Sequence, residues 1–205
     1  MGLKFSSLVL DLSYGIKVLA ILLIGGASLV LGMGLPVTAS YIVLATLAGP
    51  ALLDMGVPLL VSHMIVFWYS QDANVTPPVS LASFAGAGVA GANPMRTAFT
   101  SWKLAKGLYI IPIIMADRPL LGMGPGYELL HWQVGLTMAT TMLGLIAFAS
   151  AIERYLIRRA TWPETMLFWI AAAGLFWPAY WADGLGLIAF TAAVALQKMT
   201  GSASK

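Results

Sequence analysis

The chain of 205 residues contains no cysteine, which excludes disulfides and thiolate chemistry, metal sites included, and leaves the compartment open. Charge is nearly as scarce: 9% of residues are Asp, Glu, Lys or Arg, against about 25% in an ordinary soluble domain. The two histidines, His63 and His131, stand far apart and lack local carboxylates, so they do not form a metal pair. No Gly-x-x-x-x-Gly-Lys phosphate loop occurs, and the glycine-rich run Gly86 to Gly91 lacks the strand that a dinucleotide fingerprint requires. The first residues do not read as a signal peptide, because Ser6, Ser7, Asp11 and Ser13 interrupt their apolar character. Neither enzyme activity, an organic cofactor nor a nucleic-acid partner is expected.

What the chain has is apolar mass. Hydrophobic residues make up 60%, the composition of an all-α integral membrane protein in contact with the lipid bilayer. The net charge of +3, from 11 basic and 8 acidic residues, then fits Lys- and Arg-enriched cytoplasmic loops.

The run Gly32-Met-Gly-Leu-Pro-Val-Thr38 interrupts a segment otherwise long enough for one helix. Val18 to Leu31 and Ala39 to Leu53 are each about 14 residues, below the about 20 needed to span, so each goes part-way. Glycines accept positive φ, and Pro36 lacks an N–H and clashes with a preceding turn. Two outcomes follow: a re-entrant hairpin over 16–53 whose tip lines a binding site, or a single transmembrane helix with a kink. A second interruption, Ser70-Gln-Asp-Ala-Asn-Val-Thr-Pro-Pro78, divides 59–91 into two half-helices. Residues before proline avoid the α region, so Thr76 and Pro77 are expected to be extended. Ala82, Gly86 and Ala90, and likewise Ser83, Ala87 and Gly91, form small-residue stripes suited to close helix packing. A hairpin beside a discontinuous helix is how secondary transporters hold ions and substrates near the midplane.

Polar residues at these breaks have two readings each. Thr38, Asn74 and Thr76 either coordinate a hard cation or hydrogen-bond substrate, or they satisfy freed backbone amides. Asp72 is a cation ligand or proton carrier, or a solvated carboxylate at the mouth of the cavity. His63 is expected to bond a neighbouring helix rather than carry protons. Met64, Phe67, Trp68 and Tyr69 read as packing or interface residues.

Beyond the broken helix, 92–128 forms a connecting amphipathic piece with Arg96, Lys103 and Lys106, followed by a short apolar segment from Gly107 to Met115. The remainder, 129–205, holds a spanning helix from Leu130 to Ala151, the basic cluster Arg154, Arg158 and Arg159, and a final hairpin. The basic clusters place Arg154 to Arg159 and the C-terminus in the cytoplasm and Met123 to Glu128 outside.

Four stretches carry a resemblance: Leu31 to Tyr41, Ser70 to Val79, Ala90 to Phe99 and Trp102 to Pro112. Together they resemble the C-terminal part of tripartite ATP-independent periplasmic (TRAP) transporter large permease subunits, most closely the fused permeases of the TAXI branch. The resemblance covers the chain from about Leu3 to Leu196 and implies a sodium-driven, elevator-type importer of a small organic acid in a bacterial-type inner membrane. It also implies a periplasmic substrate-binding protein as partner, and two inverted repeats, of which residues 1–91 would be the transport-domain part of the second. Carried over, Gly32, Met33, Gly34, Asn74 and Thr76 would bind sodium, and Pro36, Thr38, Asp72, Asn74 and Pro77 would line the substrate site. Some relatives have a carboxylate where this chain has Asn74. A first repeat and a small permease subunit, which the resemblance also implies, are expected as missing partners, so the chain reads as a fragment, a truncated frame or one half of a split permease. The alternative is a non-transporting membrane fragment with a structural or assembly role.

Overall fold

The structure, a computed structural model, describes residues 2–118, 120–121 and 132–202. Every named element among them is helical, as an apolar chain that must satisfy its own backbone requires. The helices fall into two units, Met1–Ala116 and Asp117–Lys205.

In the first unit, α1 (Gly2–Ser13) turns at Tyr14 and Gly15, both at positive φ, into α2 (Lys17–Gly32). After a four-residue break α3 (Val37–Asp54) begins, with Pro36 at its N-cap. The amides of Gly34 and Leu35 turn back to the Leu31 carbonyl at 3.2 Å, so α2 ends on its own last turn. Two contacts then fix directions. A Cβ on Gly25 would lie 3.2 Å from the Tyr69 ring, and one on Gly32 would run into the Ala73 methyl. Tyr69 closes α4 (Leu59–Ser70) and Ala73 lies in the 3₁₀ turn Asp72–Asn74 that follows, so α2 and this segment run parallel. The Tyr41 ring meets Phe67 edge-on with centroids 6.0 Å apart, which sets α3 antiparallel to α4. Helices α2 and α3 are therefore antiparallel arms of a hairpin, and the single kinked helix is set aside.

The arms are longer than the sequence suggests. Helix α3 has 18 residues because Val37 and Thr38 join its first turn and Pro50 is accommodated inside it. At about 1.5 Å per residue, it is long and apolar enough to cross a membrane, so its length alone does not make it part-way.

The second break is real, and it folds back rather than extending. The Val75 and Thr76 amides both donate to the Asp72 carbonyl, and the Ser80 amide reaches back to the Ala73 carbonyl at 3.0 Å. Thr76 lies in a bend and Pro77 to Val79 form a turn. With Ser80 at positive φ, the chain re-enters helix as α5 (Leu81–Ala90). Ser83 and Ala87 face inward, whereas the stripe of Ala82, Gly86 and Ala90 is exposed. Asn93 caps α6 (Pro94–Leu104) by accepting from the Arg96 amide at 3.1 Å. Helix α7 (Gly107–Asp117) follows.

The second unit holds α8 (Trp132–Glu153), α9 (Trp162–Phe176) and α10 (Tyr180–Ser202). Helix α8 is long and apolar enough to cross a membrane; Met123 to Glu128, expected outside, lie outside the described residues. Alanines 147, 151, 171, 172, 189 and 193 surround Phe168 in a tight core, and Gly174 meets the Gly186 backbone where α9 and α10 cross. The loop of the second basic cluster is held by the buried Gln197, which accepts from the Ile157 amide at 3.1 Å, and by an Arg158–Glu164 ion pair of 2.6 Å. Glu164 also completes the capping box that starts α9.

Arg118 and Asp183 form a buried ion pair in this unit. Arg118 Nη1 also donates to the Leu175 carbonyl at 2.8 Å, near the end of α9, while Asp183 sits in the first turn of α10. Each charge thus sits at the helix end whose dipole it complements.

Candidate functional site

Three elements of the first unit meet at the hairpin tip: the end of α2, the 3₁₀ turn and the loop before α5. Gly32 seats against Ala73. Met33, at the tip, lines a cavity of about 220 Å³ together with Ala73, Thr76 and Pro77. Glycine is needed at position 32 because any side chain would occupy the space of the Ala73 methyl.

Asp72 is the outstanding group here. It is 0% exposed, and neither carboxylate oxygen has a hydrogen-bond partner among the described residues. The solvated-carboxylate expectation is thereby overturned: the 3₁₀ turn points the side chain into the unit rather than to the mouth of a cavity. On α2, Gly25, Ser28 and Gly32 share one face at i, i+3 and i+7. Since Gly25 faces Tyr69 and Gly32 faces Ala73, Ser28 faces the stretch between them, which carries Asp72. The Ser28 hydroxyl is buried and unpartnered as well. A buried carboxylate without a partner is costly, and oxygen-rich, unpaired groups are the donor set of a hard cation.

Thr76 is buried, and its hydroxyl lies 2.6 Å from that of Tyr109 on α7. It therefore bonds a side chain of another helix rather than a nearby amide. The Tyr69 hydroxyl donates to the Tyr109 carbonyl at 3.2 Å. Asn74 ends the 3₁₀ turn half-buried, and its side chain makes no hydrogen bond among the described residues.

The other expected site residues lie elsewhere. Gly34 and Pro36 are exposed on the tip, and a Cβ on Gly34 would meet nothing within 4 Å. Thr38 opens onto a different groove, of about 410 Å³, between α3 and α4, lined by Tyr41, Leu60, His63 and Phe67 among others. There the His63 ring bonds the Tyr41 hydroxyl at 3.0 Å, the helix-to-helix role expected of it. Thus Gly32, Met33, Thr76 and Pro77 are brought together, Asp72 lies sealed beside them, and Thr38 is separated from them.

Residues 1–120 match the family described as tripartite ATP-independent periplasmic transporter, DctM component. The chain belongs to this family. No curated protein and no solved structure matches it. Membership in the DctM family makes the chain part of the membrane permease of a TRAP transporter, a transport component of the inner membrane. The hairpin, the broken helix and α6 and α7 all fall inside the matched residues, and most of the second unit falls beyond them.

Sequence reasoning missed Ser28 and Tyr109. Ser28 was hidden among the small residues of an apolar arm, and Tyr109 lies in an apolar run where an aromatic reads as packing. The glycines three and four residues either side of Ser28 were the available signal for a polar group on a close-packed face.

Proposed function

We propose that this DctM-family chain is the sodium-coupled half-site of an organic-acid importer, in the manner of the TAXI branch. The hairpin is taken as re-entrant and, with the broken helix, as the second of two inverted repeats moving by an elevator mechanism. Sodium would bind where Gly32, Met33 and Thr76 come together, with Asn74 on the adjoining 3₁₀ turn, and with backbone carbonyls and side-chain oxygens as ligands. Substrate would be handed over by a periplasmic substrate-binding protein, and a first repeat and a small permease subunit would complete the assembly. The C-terminus would be cytoplasmic.

One observation carries this reading: the tip of the hairpin closes on the break beside a buried carboxylate that has no hydrogen-bond partner among the described residues. A cation arriving there supplies the missing charge and holds tip and break together, which is what coupling requires. Uptake of labelled organic acids into proteoliposomes under an inward sodium gradient tests it. The chain with a first repeat, small subunit and binding protein is expected to take up substrate only with sodium, and the chain alone is expected not to. Uptake indifferent to sodium would overturn the coupling.

A further inference from the structure

Tyr109 stands on α7, outside the hairpin and the break, yet it touches the break at its centre. Its hydroxyl lies 2.6 Å from Thr76 Oγ1, and either oxygen can be the donor. A phenol hydroxyl carries one proton and two lone pairs. Tyr109 can therefore offer Thr76 either a lone pair or its phenolic proton.

The Thr76–Tyr109 contact consequently has two senses. When Tyr109 donates, the Thr76 proton is displaced toward the break. When Thr76 donates, its lone pairs face the break instead. Thr76 is only 5% exposed and lines the same cavity as Met33 and Pro77, so bulk water does not substitute for Tyr109. A cation needs lone pairs and repels a proton, so it selects the second sense. Tyr109 is itself held, because its carbonyl accepts the Tyr69 hydroxyl at 3.2 Å.

We propose that Tyr109 is a positioning residue for cation binding, which takes the Thr76 proton and thereby turns the Thr76 oxygen toward the ion. The inference rests on the sodium reading above and adds the residue that sets its affinity. Groups that hydrogen-bond a metal ligand orient it and raise its basicity. A packing role alone would use the Tyr109 ring and be indifferent to its hydroxyl.

The test is sodium-dependent uptake by the whole transporter in proteoliposomes, with half-saturating sodium and maximal rate read separately. Tyr109→Phe keeps the ring and removes the hydroxyl. It is expected to raise half-saturating sodium about tenfold, the lower end of what loss of such a partner costs a metal site, with the maximal rate nearly unchanged. Tyr69→Phe loosens the same helix contact but leaves the Thr76–Tyr109 pair intact, and it is expected to leave half-saturation in place. In a Thr76→Val background, Tyr109→Phe should add nothing. If Tyr109→Phe does not assemble, Tyr109→His, whose ring nitrogen can still accept from Thr76, is expected to shift half-saturating sodium less than Thr76→Val does, and an equal shift overturns the assignment. An unchanged half-saturation in the hydroxyl variant, or an equal shift in Tyr69→Phe, overturns the assignment while leaving sodium coupling intact. A transporter that ignores sodium without any substitution removes both.

Discussion

Gly32 at the end of α2 and Ala73 in the 3₁₀ turn approach so closely that a methyl group on Gly32 would overlap the Ala73 side chain. This contact seats the hairpin on the break. Gly32→Ala is therefore expected to destabilise the chain by about 1–3 kcal/mol, the usual cost of overpacking. Ala73→Gly should recover part of that loss, because the two sites share one volume. Melting of the detergent-purified variants reads both effects, and a Gly32→Ala protein as stable as the parent would show that the tip is not seated there.

Asp72 gives a prediction of opposite sign. Its carboxylate is buried with neither oxygen bonded among the described residues, so neutralising it relieves a desolvation cost. In sodium-free buffer Asp72→Asn is expected to stabilise the chain by about 1 kcal/mol or more. The rise in melting temperature that sodium gives the parent should disappear. A variant less stable than the parent without sodium would mean that the carboxylate already has a partner.

The Arg118–Asp183 pair behaves as a unit. Removing the guanidinium with Arg118→Met strands Asp183 in the interior, at about 3–5 kcal/mol, and leaves the Leu175 carbonyl without the Nη1 donor seen here. Arg118→Met with Asp183→Leu should regain most of the loss, since replacing both partners by apolar groups is often neutral. Thermal melting of the single and double variants decides it. Equal losses in both would assign the cost to packing rather than to the stranded charge.

Topology is tested independently of any site. Reporter fusions at Gly124 and Lys205 are expected on opposite faces of the membrane, the latter cytoplasmic, because the basic cluster Arg154 to Arg159 follows α8. The same side for both would overturn the assignment of three crossings, α8, α9 and α10, between them.

The sequence by itself determined the helical membrane class, the positions of both breaks and the exposure of α6. Composition sets the first. The breaks fall at Pro36 and at Pro77 and Pro78, because a missing N–H and a clash with the preceding turn act within a turn or two. Arg96 and Lys103 mark α6 as non-spanning for the same local reason. Tertiary structure alone decided what faces the breaks. Gly32 meets Ala73 across 41 positions of sequence, Thr76 bonds Tyr109, and Asp72 is sealed rather than solvated. Only the antiparallel setting of α3 against α4 distinguished a hairpin from a kinked helix. The pairing of Arg118 with Asp183 was likewise invisible, since a charge beside Pro119 reads as a turn until another helix brings its partner. Backbone chemistry is local and shows in a few residues, whereas the partner of a buried polar group is chosen by helix packing, which no short window of sequence contains.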